Sequence, residues 1–298
     1  MTAKLYGRLL NSGIDCRRDI DLSEYSSLRV GGKGELGIFP KNASELALCL
    51  SEITASGLKY HIIGNGSNIL FLDGRLSGVF LFTEGLRKMS IEGNIIRAEA
   101  GVLLSALAAK AADASLCGLE FARGIPGSLG GGVFMNAGAY DGQLSDVVVS
   151  TLCYDAESGK TRILTEHSFS YRSSIYEKTP SLICLSAELK LAEGNRDEIY
   201  ARMRELSEAR RQKQPLEFPS AGSYFKRPEG HFAGKLIEDA GLKGLSVGGA
   251  AVSEKHAGFI INRGGARASD ILELEAKVIE TVYEKFGIRL EREVRVIG

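Results

Sequence analysis

Three short segments of the sequence carry residues that could hold a phosphate or move a proton. Residues 64–68 (GNGSN) and 124–132 (GIPGSLGGG) are glycine-rich, and residues 221–230 (AGSYFKRPEG) place Ser223 beside an aromatic residue and ahead of two cations. Successive backbone N–H groups in a glycine-rich turn can bind an anion. A hydroxyl can act as a general acid toward a sufficiently basic partner. Taken alone, however, a serine in a glycine-containing loop is more typical of a turn.

Neither glycine-rich segment fits a standard nucleotide fingerprint. GNGSN follows a predicted strand, but Ile69 stands at the third glycine position and the next residues are strand-like, which argues against a Rossmann turn. GIPGSLGGG lacks the lysine of a P-loop. A plain turn and close helix-on-sheet packing stay open for the two segments. Two such loops in one chain favour a ligand that contains a diphosphate.

Composition restricts the class of protein. The chain has 298 residues, of which 44% are hydrophobic and 25% charged, as expected for a globular protein with two or three domains or one large one. Lys plus Arg and Asp plus Glu number 37 each, so no net field attracts the chain to nucleic acid. No apolar run approaches the ~20 residues of a membrane span, and the N-terminus is too polar for a signal peptide. Neither nucleic acid binding nor membrane insertion is therefore expected.

Cysteine and histidine usage points to a reducing compartment. The five cysteines are scattered and lack a CxxC pair, so reduced thiols in the cytoplasm are predicted. The four histidines are dispersed and form no metal-ligand pattern. No metal site is expected.

The elements that must position these segments form an α+β mixture without strict βαβ alternation. Ser269 is predicted to cap a long amphipathic helix that ends at Gly287 and turns Phe286 inward. The other predicted helices are 42–56, 102–116, 196–211 and about 233–240. The predicted strands are 60–63, 69–72, a hairpin over 90–100, 147–154, 161–164, 182–191, 258–262 and 289–297.

Six motifs in a fixed order resemble the UDP-N-acetylenolpyruvoylglucosamine reductases, the flavoenzymes that make UDP-N-acetylmuramate for bacterial peptidoglycan. They are SLRVGG (27–32), GNGSN, GIPGSLGG with its continuation NAGAY (136–140), SYR (170–172), AGSYFKRP and REVR (292–295). Each motif is weak alone, but six in one order with sensible spacing are specific. The resemblance extends from about Ser26 to the C-terminus. The compact path from Ile175 to Pro215 is similar to the shorter subclass, which lacks an inserted substrate-covering loop.

The resemblance implies an FAD-binding fold of the vanillyl-alcohol-oxidase (PCMH) type in two parts, followed by a C-terminal α+β domain for the UDP-sugar. The expected boundaries are 1–85 and 86–212 for the FAD-binding subdomains and 213–298 for the substrate domain, with strand 294–298 returning to the first subdomain. FAD is expected to be non-covalent, NADPH is the expected electron donor, and no obligate protein partner is inferred. The FAD-binding residues that it implies are Arg29, Gly64, Asn65, Gly66, Ser67, Asn68, Gly124, Pro126, Gly127, Ser128, Gly131, Asn136, Gly138 and Ala139.

The catalytic residues implied by the resemblance are Arg172, Ser223 and Glu293. Hydride transfer from flavin N5 to the enol ether would leave negative charge beside the substrate carboxylate. Arg172 is permanently cationic and planar, which suits that carboxylate. Ser223 would protonate the adjacent carbon, and Glu293 would hydrogen-bond the enolate or orient Arg172.

The implied UDP-sugar contacts are mainly cations, which suit a diphosphate. They are Tyr171, Lys226, Arg227, Lys243 and His256. Arg227 stands where some members of the family have asparagine, and His256 fits a buried, hydrogen-bonded histidine equally well.

Two other functions stay open at this stage. One is a different oxidase or dehydrogenase of the same FAD superfamily. The other is a nucleotide-sugar-binding module without catalysis, which the presence of Arg172, Ser223 and Glu293 argues against.

Overall fold

The computed structural model describes residues 1–298 and divides into two compact units. The first unit comprises residues 1–18, 35–65 and 78–209, and the second comprises residues 19–34, 66–77 and 210–298. One passage of the chain from the first unit to the second falls inside GNGSN, between Asn65 and Gly66.

The chain forms eight α-helices and eighteen strands. The helices are α1 (Thr2–Asn11), α2 (Ala43–Ala55), α3 (Leu104–Asp113), α4 (Leu129–Met135), α5 (Ile175–Lys178), α6 (Arg196–Lys213), α7 (Ala233–Asp239) and α8 (Ala268–Phe286). The strands are β1 (Asp15–Asp21), β2 (Lys33–Phe39), β3 (Tyr60–Ile63), β4 (Ile69–Phe71), β5 (Arg75–Phe82), β6 (Met89–Glu92), β7 (Ile95–Glu99), β8 (Leu116–Cys117), β9 (Gly138–Ala139), β10 (Gly142–Gln143), β11 (Val148–Asp155), β12 (Lys160–Leu164), β13 (Leu182–Lys190), β14 (Ala192–Glu193), β15 (Ser246–Val247), β16 (Ala250–Val252), β17 (Ile260–Asn262) and β18 (Arg295–Ile297).

Local sequence signals account for several of these bounds. Asn42 caps α2, since its side-chain oxygen accepts a hydrogen bond from the amide of Glu45 at 2.9 Å. Gly93 turns the β6–β7 hairpin with φ of +56°, and Gly287 ends α8 with φ of +69°. These predicted elements are confirmed.

The first unit contains two sheets with separate hydrophobic cores. The larger sheet has the order β12-β11-β13-β7-β6 and is antiparallel throughout. Helices α3 and α4 belong to its core, in which Leu104, Leu107 and Leu129 are fully buried. The other sheet has the order β1-β2-β5-β3, and α1 and α2 contribute Leu5 and Leu46 to its core.

The second unit is built around α8 and a small antiparallel sheet in the order β15-β16-β17. The buried face of α8 includes Ile271, Leu274, Val278 and Val282, as the helical period predicts. Strand β18 pairs in parallel with β4, so that Arg295 lies opposite Ile69.

Three features of this unit differ from the sequence prediction. The predicted cap Ser269 lies inside the first turn of α8, and Asp73 accepts from the amides of Ala268 and Ser269 at 2.9 Å each. Phe286 is 39% exposed because α8 has left its core by its last turn. The final strand is shorter than predicted, because the residues before Arg295 make only isolated bridge contacts.

No helix of this protein combines the length and the apolar composition that crossing a membrane requires. All five cysteines are free thiols. No group of three or more His, Cys, Asp and Glu side chains is arranged to hold a metal ion.

Candidate active site

Gly64 and Ser128 lie against each other in the first unit. A Cβ atom at Gly64 would overlap the Ser128 hydroxyl, so any other residue there would force that hydroxyl to move. Asn65 Nδ2 donates to the carbonyl of Pro126 at 2.6 Å, which ties the first half of GNGSN to GIPGSLGGG. Ser128 is 2% exposed, and its Oγ has no hydrogen-bond partner in the protein. A buried hydroxyl without a partner is costly, which indicates a ligand with polar atoms at this point.

The GIPGSLGGG segment is held by backbone hydrogen bonds. Leu129 N donates to Val102 O at 2.7 Å, Gly130 N to Ala100 O at 2.8 Å, and Leu104 N to Gly127 O at 2.9 Å. A Cβ atom at Gly130 would come within 2.8 Å of the Ala100 side chain. Close packing, one of the two explanations that the sequence left open, therefore accounts for Gly130. Gly64 instead faces the Ser128 hydroxyl.

Asn136 connects the end of α4 to the SYR segment. It is buried and has a left-handed backbone with φ of +43°. Its Nδ2 donates to Ser170 O at 3.2 Å, and its Oδ1 accepts from Ser145 N at 2.9 Å. Asn136 thus fixes the residue that precedes Tyr171 and Arg172. Gly138 and Ala139 follow it as β9, which pairs with β10.

Tyr171 and Arg172 are the two central residues of a tight turn. Ser170 and Ser173 exchange two backbone hydrogen bonds across it, at 3.0 and 3.2 Å. Arg172 has φ of +54°, a conformation that costs a non-glycine residue free energy and often marks a functional site. Its guanidinium lies 5.3 Å from the centre of the exposed Tyr171 ring. The turn presents a cation and an aromatic ring together.

The base of this turn contains buried polar residues that sequence analysis missed. Thr151 Oγ1 lies 3.0 Å from His167 Nε2 and 2.6 Å from the Tyr176 hydroxyl. Burial lowers the pKa of His167, which keeps the ring neutral at pH 7. His167 O accepts from Ile175 N at 2.7 Å and so closes the loop. A threonine in the middle of an apolar strand was the only sequence signal.

In the second unit, SLRVGG lies beside the second half of GNGSN. Ser27 N donates to Gly66 O at 3.1 Å, and a Cβ at Gly66 would overlap the carbonyl of Tyr25. Arg29 has φ of +53°, and its carbonyl accepts from Asn262 Nδ2 at 3.4 Å. Ser67 is half-buried between Gly66 and Asn68. These contacts bring Arg29, Gly66, Ser67 and Asn68 into one region.

Ser223 lies on a segment that is held on both sides. Pro219 O accepts from Asn262 N at 2.9 Å, and Tyr224 N donates to Gly258 O at 2.8 Å. Between these bonds, Gly222 turns the chain with φ of +78°, which leaves Ser223 exposed. The loop therefore fixes the backbone of Ser223 while its side chain stays accessible.

Glu293 lies on the segment next to Ser223. Its amide donates to Tyr224 O at 2.9 Å, and its carbonyl accepts from Asn68 Nδ2 at 3.2 Å. Arg295 N donates to Asn68 O at 3.0 Å. The second unit thus brings together Asn68, Ser223 and Glu293, three residues that the sequence predicted. Arg172 belongs to the first unit.

The predicted substrate-binding cations of the second unit have ionic or aromatic neighbours. Lys226 lies 3.4 Å from a carboxylate oxygen of Glu291, and Lys243 lies 2.7 Å from one of Glu238. Arg227 lies 4.6 Å from the centre of the exposed Phe232 ring. Ion pairs at such exposure are weak, so these cations can exchange their partners for a ligand.

His256 is a partly buried ring with one nitrogen already engaged. Its Nδ1 accepts from Gly258 N at 3.1 Å, so its neutral form carries the proton on Nε2. Burial lowers the pKa of this imidazole, which favours the neutral form. One N–H donor therefore stays available to a ligand.

Two family models place this chain among the FAD-binding oxidoreductases. Residues 35–165 match the sequence model of the FAD binding domain, and residues 214–297 match that of the UDP-N-acetylenolpyruvoylglucosamine reductase C-terminal domain. The residues around Gly64, Asn65 and Ser128 fit such a cofactor, because they leave a buried hydroxyl without a partner. FAD is the cofactor. The predicted α+β fold of the vanillyl-alcohol-oxidase type is confirmed.

Curated relatives and a solved structure identify the family. The UDP-N-acetylenolpyruvoylglucosamine reductase of Clostridium perfringens strain SM101 is 46% identical over 99% of this chain and 97% of its own length. That of Clostridioides difficile is 45% identical over 99% and 98%. The crystal structure of the corresponding reductase from Thermus caldophilus has a TM-score of 0.81 and 35% identity over 96% and 99% of the two chains. The chain belongs to the UDP-N-acetylenolpyruvoylglucosamine reductases.

A wider likeness concerns the fold alone. The glucose dehydrogenase Phl p 4.0202 shares 14% identity with this chain, with a TM-score of 0.50. The match covers 65% of this chain and 44% of that one.

Proposed function

We propose that this protein catalyses the NADPH-dependent reduction of UDP-N-acetylenolpyruvoylglucosamine to UDP-N-acetylmuramate, a step of peptidoglycan precursor synthesis. Membership of the family supports the reaction. The observation that carries the assignment is Ser223, an exposed hydroxyl on a backbone fixed at Pro219 and Tyr224 and next to Glu293. This arrangement suits a proton donor that must reach a bound substrate.

When bound, FAD would supply hydride transfer from NADPH to the terminal carbon of the enolpyruvyl double bond. Ser128 Oγ, Asn65 and the backbone around Gly64 and Gly131 would bind its diphosphate, with Arg29, Gly66, Ser67, Asn68 and Asn136 as further contacts. We infer that FAD is held without a covalent bond. The buried Ser128 hydroxyl without a partner is the observation that supports the placement of the FAD diphosphate.

The protein's own residues would handle the charge and the proton. Arg172 would bind the substrate carboxylate through its planar guanidinium. This interaction would be strongest when negative charge develops on the carboxylate during the reaction. Ser223 would donate its hydroxyl proton to the carbon beside the carboxylate. Glu293 would hydrogen-bond the enolate or orient Arg172.

The UDP moiety would be bound by cations and donors. Lys226, Arg227 and Lys243 would offer charge-assisted hydrogen bonds to the diphosphate. Tyr171 would contribute a ring face or its hydroxyl, and His256 would donate from Nε2. Residues 213–298 would form the UDP-sugar domain. The five free cysteines suit a reducing compartment, which supports a reaction in the cytoplasm.

The experiment that tests the function is an anaerobic stopped-flow measurement on the FAD-loaded protein. NADPH should bleach the flavin absorbance, and UDP-N-acetylenolpyruvoylglucosamine should then restore it with one UDP-N-acetylmuramate formed per flavin. A flavin that NADPH does not bleach would favour the alternative oxidase. A bleached flavin that the enolpyruvyl sugar leaves bleached would overturn the proposal.

A further inference from the structure

A buried carboxylate interrupts the apolar face of α8 in the second unit. Glu275 is 8% exposed, beside the fully buried Leu274 and Val278. It accepts a hydrogen bond from the Tyr224 hydroxyl at 2.9 Å and from Arg292 Nη1 at 3.0 Å. The Tyr224 side chain is itself fully buried. We name Tyr224, Glu275 and Arg292 the α8 triad.

The α8 triad is weakly explained by stability alone. An ionised carboxylate loses hydration when it is buried, and a well-packed apolar set often serves stability as well as a buried ion pair. The best-attested benefit of such polar groups is that they fix one arrangement of the chain.

The two partners of Glu275 are sequence neighbours of the predicted catalytic residues. Tyr224 follows Ser223, and Arg292 precedes Glu293. The same two segments are joined by backbone contacts, since Phe225 bridges Arg292 and Glu293 N donates to Tyr224 O at 2.9 Å. One carboxylate on α8 thus holds the side chains of both segments.

We propose that the α8 triad is a set of positioning residues: Glu275, through Tyr224 and Arg292, sets the backbone register of Ser223 against Glu293 for proton donation to the substrate. This inference rests on the proposed function. In this proposal the triad itself contacts neither substrate nor cofactor. Its loss should therefore affect the step that uses Ser223 and leave the reduction of flavin by NADPH intact.

The first test compares Glu275→Gln with Glu273→Gln in the FAD-loaded enzyme. Glu273 is an exposed residue of the same helix, paired with Lys277 at 2.8 Å, so the second variant is a matched control. The rate of flavin reoxidation by the enolpyruvyl sugar at saturation should fall at least about tenfold in Glu275→Gln, as expected for a misplaced reacting group. Flavin reduction by NADPH should stay within twofold of wild type in both variants.

A second variant guards against loss of folding, because removal of one member of a buried ion pair can unfold a domain. Tyr224→Phe keeps the Glu275–Arg292 pair and deletes only the hydroxyl. It should stay folded and lower the same reoxidation rate by a smaller factor. A stabilising osmolyte such as sucrose would repair a purely structural defect, so it should not restore the reoxidation rate of either variant.

The proposal would be overturned if both half-reactions fell in parallel with thermal stability, or if Tyr224→Phe and Glu275→Gln both reoxidised at the wild-type rate. Failure of the proposed function gives a different result: wild-type flavin, once bleached by NADPH, would not be reoxidised by the enolpyruvyl sugar at all.

Discussion

At the scale of single residues, Ser128 shows how a buried polar atom without a hydrogen-bond partner can mark a binding site. Its hydroxyl is buried and lacks a partner, although most buried hydroxyls in folded proteins have one. The neighbouring Gly64 leaves the space that a side chain would otherwise fill. The protein accepts an unfavourable group here, and bound FAD would compensate for it.

The variant Ser128→Ala should separate cofactor binding from folding. The cofactor-free protein should keep or slightly raise its melting temperature, because an unpaired buried hydroxyl costs about 1 kcal/mol or more. FAD should bind about tenfold more weakly, the equivalent of one lost hydrogen bond. Titration with FAD and thermal melts of the cofactor-free protein measure the two effects. A destabilised protein with unchanged FAD affinity would show that the hydroxyl serves the fold.

Arg172 has a strained backbone and is proposed to bind the substrate carboxylate. Its φ of +54° suits glycine better than any residue with a Cβ atom. Arg172→Gly should therefore be more stable than Arg172→Ala by about 1 kcal/mol, although both should lose reoxidation by the enolpyruvyl sugar. Denaturant unfolding measures the difference.

The variants Arg162→Gly and Arg162→Ala provide the control for the two variants of Arg172. Arg162 lies in strand β12, where an extended backbone makes glycine less favourable than alanine. The order of stability should therefore be reversed there. The same order at both positions would argue against backbone strain at Arg172.

At the scale of elements, α8 depends on a cap from a distant part of the chain. Asp73 accepts from the first two amides of the helix, and α8 in turn carries Glu275 of the triad. Burial alone would raise the pKa of the Asp73 carboxyl, but the amide hydrogen bonds from Ser269 and Ala268 outweigh it and hold the pKa below the ordinary 3.8. The charged form is therefore the one that stabilises the fold.

The variant Asp73→Asn should lower the free energy of unfolding by about 1–2 kcal/mol at pH 7, because asparagine keeps one acceptor oxygen and turns an N–H donor toward the other amide. A carboxyl with a lowered pKa in the folded protein stabilises above its unfolded pKa and loses that effect as the pH falls. The difference between wild type and variant should thus be constant above about pH 5 and shrink below 3.8. Urea unfolding between pH 3 and 8 tests it. The exposed Asp141→Asn serves as control, and a pH-independent difference would contradict this role of Asp73.

Across the whole molecule, the features that could be predicted from sequence are those formed by residues close together along the chain. Asn42 caps its helix and Gly93 turns its hairpin because the residues involved are three or fewer positions apart. The cap of α8 could not be predicted in this way, since Asp73 and Ala268 meet only through the folding of the second unit. Glu275 was also missed, because an acidic residue beside a helical apolar stripe is normally exposed.

The candidate site also contains features that the sequence could predict and features that it could not. Order and spacing of six motifs were enough to predict FAD and the family. The turn that places Arg172 at positive φ and the two-sided support of Ser223 depend on long-range contacts, and no local pattern encodes them. The unpaired Ser128 hydroxyl is likewise a property of packing.

In the proposed function, Ser223 supplies the proton that completes reduction of the enolpyruvyl sugar. The most direct measurement is anaerobic reoxidation of NADPH-reduced Ser223→Ala by that sugar, followed by flavin absorbance. The variant should bind FAD and be bleached by NADPH like wild type, whereas its reoxidation should be slower by about a hundredfold or more, the usual contribution of a general acid. Reoxidation of Ser223→Ala at the wild-type rate would contradict the role of Ser223 as proton donor.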